Sequence, residues 1–264
     1  MTTPGAVQPT PETSNFPLME RPYVGILLAF AAGAMNAWSL ANAATFSTVQ
    51  SGNVISMGYW LVQGDWSKFW FPALAVLAFG LGSALCGVLM TTFQRSGRPY
   101  TPGVLLVGSV LLILLAVLAI VLVGSGDGRA AGVDLSADHS ATAHWIALGI
   151  SFIAGAQGNA FHKNRGMLYG NVAVTFVVQM AFNFLVQSAF KREGINGATN
   201  LKWAGLFFMV LLGFSAGAAA GFGADLIVNG ASILIPAVVL LALFFAALAQ
   251  GFRHVDPTPG GTFA

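Results

Sequence analysis

The sequence predicts an all-α protein: a polytopic transmembrane helix bundle of about six spans in a 3+3 inverted repeat, with two re-entrant or short polar segments. Three observations predict it. Six long apolar stretches between residues 23 and 250 have no Asp, Glu, Lys or Arg in their middles. Only 8% of the 264 residues are charged against 56% hydrophobic, and the mean hydropathy is +0.76. The chain also repeats itself, weakly but in order. A bilayer core needs about 20 apolar residues per crossing helix, and a charge at mid-depth is costly.

Residues 1–21 are polar and rich in Pro and Thr. They lack the basic stretch, apolar run and cleavage site of a signal peptide, so a disordered cytoplasmic tail is expected. The expected spans are 23–43, 69–90, 101–124, 143–161, 201–224 and 231–250. Two further segments, 49–63 and 169–190, are apolar but carry amides and hydroxyls, and the second is long enough to cross. The domain reading is a first membrane repeat over 22–124, an external loop over 125–142, a second repeat over 143–252 and a cytoplasmic tail over 253–264.

Basic residues favour the cytoplasmic side of short loops. With six crossings and the N-terminus inside, Arg21, Arg95, Arg98, Lys163, Arg165, Lys191, Arg192, Lys202 and Arg253 are cytoplasmic. Lys68 and Arg129 are then outside, nine against two; eight crossings would give seven against four. Both termini are therefore expected in the cytoplasm, and Asp127, Asp134, Asp138 and Asp225 outside. Trp60, Trp66, Trp70 and Trp145 form an aromatic belt on the outer face.

The repeat sets Phe30-Ala-Ala-Gly33-Ala-Met35-Asn36 against Phe152-Ile-Ala-Gly155-Ala-Gln157-Gly-Asn159, with one residue inserted. Thr45-Phe46, Gln50 and Asn53 match Thr175-Phe176, Gln179 and Asn183, and Phe79-x-x-Gly82 with Gly87 matches Phe214-x-x-Gly217 with Gly221. Three crossings per half is an odd number, so the halves are inverted. Such repeats, with interrupted segments at corresponding positions, recur in secondary transporters. Gly80, Gly82, Ser83, Ala84 and Gly87, like Gly213, Gly217, Ala218 and Gly221, read as small residues that let helices approach.

Asn171, Thr175, Gln179, Asn183 and Gln187 recur every fourth residue, along one helical face. Uncharged amides in hydrocarbon must find partners. One reading is a polar substrate path through Asn36, Gln50, Asn53, Gln157, Asn159, Thr175, Gln179 and Asn183. The other is interhelical hydrogen bonding that fixes the bundle. His162 reads as interfacial, His139 and His144 are too loosely spaced for a tight metal site, and the lone Cys86 reads as a small core residue. No HExxH or P-loop occurs, so neither an enzyme nor a cofactor is expected. A net charge of +2, with no basic run interleaved with aromatics, argues against nucleic acid.

Gly33-Ala-Met-Asn36-Ala-Trp-Ser, then Thr45-Phe-Ser-Thr-Val-Gln-Ser-Gly52-Asn53-Val, and later Ala156-Gln157-Gly158-Asn159-Ala160-Phe161, resemble the motifs of the bacterial YoaK family of integral membrane proteins. The resemblance runs over about residues 23–250. It implies an inner-membrane protein of the kind described as a transporter, with no established substrate. Asn36 stands where the family has an Asp, and Ser51 where it has a Thr before Gly-Asn. An amide cannot titrate, which argues against proton coupling at residue 36. The expected function is a small-solute transporter or facilitator for a neutral or zwitterionic substrate; the alternative is a non-transporting membrane scaffold. Expected partners are the lipid bilayer, a small solute and, in a homo-oligomer, further copies of the chain.

Overall fold

The computed structural model describes residues 17–123, 139–161, 174–194, 198–251 and 255–257. Among these, a 3₁₀ turn at Leu18–Glu20 precedes eight helices: α1 (Pro22–Ala43), α2 (Gln50–Gln63), α3 (Trp66–Arg95), α4 (Thr101–Leu118, continued by a π turn over Ala119–Val123), α5 (Ala141–Ala160), α6 (Val174–Phe190), α7 (Asn200–Ile227) and α8 (Ala231–Ala249). Their starts follow from local chemistry. The first amides of a helix have no partner within it. Asp65, Ser140 and Thr199 therefore accept from the backbone N–H of Lys68, Ala143 and Lys202 at 3.1, 3.1 and 3.2 Å. Pro22, at the first position of α1, costs no hydrogen bond there. Gly64, with φ +71°, ends α2 in the left-handed region that a side chain disfavours.

Among the described residues, five helices are long and apolar enough to cross a bilayer: α1, α3, α4 with its π turn, α7 and α8. The expectation was six. Helix α5 has the length, 20 residues, but His144, Gln157 and Asn159 make it less apolar, and it lies inside the bundle. The outer faces carry the apolar bulk, with Leu81, Val88, Leu114, Leu212 and Ile227 all exposed. The interior mixes large apolar side chains such as Trp38, Leu105 and Ile150 with small and polar ones, among them Ala29, Ala34, Ala147, Ser39, Ser109 and Ser151. That arrangement suits hydrocarbon solvent, where helices associate through close packing and interhelical hydrogen bonds.

Helix α1 packs on α7, α3 on α5, and α4 on α8, while α2 lies on α3 and α6 on α7. Four Phe-x-x-Gly elements make the first two contacts. A Cβ on Gly33 would overlap the carbonyl oxygen of Phe214, and one on Gly217 that of Phe30. Gly82 and Phe152 stand in the same relation, as do Gly155 and Phe79. Each glycine thus receives the backbone of the other motif's phenylalanine, a geometry that also suits Cα–H···O contacts. Gly213 and Gly221 extend the α1–α7 seam against Ile26 and Ala34, whereas Gly80 faces open space.

The same contacts give the helix directions. Ile26 meets Gly213 and Ala37 meets Gly221, so α1 and α7 are parallel. Phe71 stacks on His144 at 3.9 Å and Gly82 meets Phe152, so α3 and α5 are parallel. Gly108 meets Leu240 while Ala119 meets Gly230, so α4 and α8 are antiparallel. Gly149 meets Leu115 and Ile153 lies near Gly108, so α4 and α5 are antiparallel too.

The described parts of the expected unstructured tails, residues 17–21 and 255–257, pack against the bundle. Leu18 and Met19 are fully buried in the main core. Val255 is buried as well, and the Asp256 carboxylate accepts from the backbone N–H of Tyr100 and Thr101 at 3.2 and 3.0 Å. A residue near the C-terminus therefore caps α4, satisfying amides that the Pro102 turn leaves open.

Candidate functional site

The densest polar cluster lies where α1 breaks. Helix α1 stops at Ala43, Ala44 takes a left-handed φ of 48°, and residues 44–49 fold back along α1 before α2 begins. Thr45, Ser47 and Thr48 in this unwound stretch are buried. Backbone groups without helical partners are tolerated at membrane depth only when the protein satisfies them. Two asparagines do so. Asn36 Oδ1 accepts from Thr48 N–H at 3.0 Å and from the Ser47 hydroxyl at 3.5 Å, while its Nδ2 donates to Thr48 Oγ1. Asn53 Oδ1 accepts from Phe46 N–H at 3.0 Å and the Thr45 hydroxyl at 2.8 Å, and its Nδ2 donates to Phe46 O and Gln50 Oε1, both at 2.7 Å. Gln50 Nε2 donates to Ser47 O at 2.9 Å, and Ser39 Oγ receives Ser47 N–H at 3.2 Å.

Since Thr48 lies beside Asn36, seven residues before the end of α1, the break sits about 10 Å below that end. Helix α2 then climbs back and joins α3 through Gly64 and Asp65. The first-half amides Asn36, Gln50 and Asn53 are therefore gathered in one buried cluster. The hydroxyls of Ser39, Ser47 and Thr48 complete it, and in the sequence they stand out only as part of the motifs Gly33–Ser39 and Thr45–Thr48.

The second-half residues are dispersed. Asn159 Nδ2 donates to the Ser83 carbonyl at 3.0 Å, tying α5 to α3. Gln157 is buried, and its Nε2 has no partner among the described residues. On α6, Val177, Ala181 and Phe184 face α7, where Phe184 stacks on Phe207 at 5.8 Å. Thr175, Gln179 and Asn183 consequently point away from the bundle and are exposed, as is Gln187, which donates to Asn183 Oδ1 at 3.1 Å. Asn171 and His162 lie outside the described residues.

Two smaller polar links pin the end of the bundle where α1 stops. Asn229, in the α7–α8 turn, accepts from Trp38 Nε1 at 3.2 Å and donates to Asn42 Oδ1 at 3.1 Å. The Asp225 carboxylate caps α8 by accepting from Gly230 N–H, Ser232 N–H and the Ser232 hydroxyl. At the other end, burial and the nearby Asp256 carboxylate raise the Tyr100 phenol well above its ordinary value, which keeps it protonated. No cluster of three potential metal ligands occurs among the described residues.

An apolar exterior, several helices long and apolar enough to cross a bilayer and a broken first helix define an integral membrane protein of the helical-bundle class. Its sequence matches a family model over residues 24–247, and the chain belongs to that family, described as protein of unknown function (DUF1275) and YoaK-like. No curated protein and no solved structure matches the chain.

Proposed function

We propose that the protein is a small-solute transporter or facilitator of the bacterial inner membrane, built as a 3+3 inverted repeat. Six helices cross, namely α1, α3, α4, α5, α7 and α8, and α2 and α6 enter and leave on the side they came from. The helix directions support this count, since α5 ends and α7 begins at the end of the bundle where α1 starts. The four reciprocal Phe-x-x-Gly contacts support the inversion, because exchanging the halves exchanges α1–α7 with α5–α3. The nine-to-two division of basic residues supports cytoplasmic termini.

The observation that carries transport is the buried break between α1 and α2. Discontinuous helices with unwound backbone at the repeat interface are where secondary transporters bind substrate. The spans hold no ionisable residue at mid-depth, so the substrate is neutral or zwitterionic and residue 36 carries no proton. Neither catalysis nor a cofactor is part of the reading. A scaffold role is the second reading, and it has its own support: Asn36, Gln50 and Asn53 spend their hydrogen bonds on residues 44–49.

Single cysteines at Asn36, Asn53, Asn159, Gln179 and Asn183, in a Cys86→Ser background, separate the two. Impermeant thiol reagents that reach Asn36 and Asn53 from one face and Asn159 from the other support an aqueous path. Uniform protection of these three in a folded protein leaves only the scaffold.

A further inference from the structure

A cavity of about 250 Å³ lies among α3, α4 and α5. Helices α3 and α4 barely touch each other, so α5 forms the back wall and the mouth opens between them. Leu85, Leu89, Val107 and Leu111 line that mouth and are exposed on the outer, lipid-facing surface. The cavity therefore opens sideways into hydrocarbon. Its walls are apolar apart from the Gln157 amide, the Tyr100 phenol and the Cys86 thiol. The Gln157 side chain is 3% exposed and lines the cavity, and its Nε2 has no hydrogen-bond partner among the described residues.

A buried amide donor left unmade is costly, and native proteins rarely leave one. Water is a poor answer, because a buried water needs two to four polar partners and dry apolar cavities stay dry. The occupant that fits is apolar along its length and carries one hydrogen-bond acceptor. Depth narrows it further. Gln157 lies three residues before Ala160, the last of α5, so its amide sits about 5 Å inside that helix end. The cavity runs from Tyr100, at the start of α4, down to Leu111. An acceptor near one face with a chain reaching inward is the layout of an acyl ester in a bilayer leaflet.

We infer that this cavity is a lateral binding site for one acyl chain of a glycerolipid, with its ester carbonyl accepting from Gln157 Nε2. The site belongs to one half only. By the repeat, Gly155-Ala-Gln157 corresponds to Gly33-Ala-Met35. Met35 is a fully buried core residue, and α7 and α8 pack against each other where α3 and α4 stand apart. The asymmetry makes the cleft a departure from the shared architecture rather than a by-product of it. The inference is independent of whether the protein transports a solute.

The full chain in lipid nanodiscs tests it with two photoactivatable phosphatidylethanolamines, each bearing a diazirine in the acyl chain. One is ester-linked and the other ether-linked, so it lacks the carbonyl. Adducts mapped by mass spectrometry are expected at the cavity residues Leu89, Val107 and Ala156, about fivefold more with the ester probe, as one neutral hydrogen bond implies. Adducts on the outer face of α7, at Leu212, should not differ between probes. The Gln157→Met variant, which copies the other half, should abolish the ester preference. Equal labelling by both probes in the unaltered chain would overturn the hydrogen bond and the site with it. Loss of cavity adducts on adding an isoprenoid quinone, with Leu212 unaffected, would overturn the glycerolipid assignment.

Discussion

At the scale of residues, two asparagines do what a continuing helix would otherwise do. Asn53 holds both backbone groups of Phe46 and the Thr45 hydroxyl. Asn53→Ala strands the Phe46 N–H and the Thr45 hydroxyl and leaves the Phe46 carbonyl only a 3.5 Å hydrogen bond from Gln50 Nε2, at a cost of about 1–3 kcal/mol for each group left unpaired. A clear fall in the thermal unfolding midpoint in detergent is expected, and an unchanged midpoint would mean the break is held some other way. Asn36 behaves differently because only donors or invertible hydroxyls face it. Thr48 N–H and the Ser47 hydroxyl already donate to its oxygen, and the Thr48 hydroxyl can turn to donate as well. Asn36→Asp should therefore fold, in keeping with the Asp that resembling sequences carry, whereas Asn36→Leu should not. Size-exclusion profiles of the two variants check this. The sequence made these amides visible as polar residues in apolar surroundings. It did not reveal that they serve their own backbone, because that depends on residues 44–49 folding back on α1.

At the scale of elements, close approach of backbones decides where the chain tolerates change. Gly82→Ala puts a methyl group into the Phe152 carbonyl, and Gly217→Ala puts one into that of Phe30. Backbone cannot yield as a flexible side chain can, so each should cost about 1–3 kcal/mol or more. Gly80→Ala, two residues from Gly82 and facing open space, should change stability by no more than about 1 kcal/mol. Comparing the three thermal midpoints checks the seam, and equal effects would contradict it. The start of α3 offers a pH test. The backbone N–H of Lys68 and the Ser67 hydroxyl hold the Asp65 carboxyl below its ordinary value. A lowered folded-state pKa means that Asp65 stabilises fully above the unfolded carboxylate range, and that this contribution fades as pH falls through the lowered value. Asp65→Asn should flatten that acid limb of the stability curve, with its loss of stability largest at neutral pH and fading in acid. Helices and glycine seams were legible because periodicity and small residues are local signals. The caps by Asp256 and the outward turn of Thr175, Gln179 and Asn183 were not. A four-residue spacing defines a face, but only Phe184 packing on Trp203 and Phe207 fixes which way that face points.

At the scale of the whole molecule, the helix directions turn a count of apolar segments into a path through the membrane. Helix α4 is antiparallel to α5 and α8, and α1 is parallel to α7. The short α7–α8 turn, tied by Asp225 to Ser232, makes those two antiparallel as well. It follows that α1, α4 and α7 start at one end of the bundle, and that α5 finishes there. Between α5 and α7 the chain must therefore return to the end it left, although 17 residues of α6 lie in between. An α6 that crossed alone would reverse α7 and break its seam with α1, where Gly33 and Gly217 interlock with Phe214 and Phe30. Sequence length allowed either outcome for this segment, since about 25 Å of helix nearly matches the hydrocarbon core. Cysteines at Asn164 and Glu193, in a Cys86→Ser background, bracket the segment. Both are expected to react with an impermeant reagent from the same side as Arg98→Cys, while Ser67→Cys reacts from the other. Labelling of Asn164→Cys and Glu193→Cys from opposite faces would mean a seventh crossing, and the inverted pairing of the two halves would fall with it.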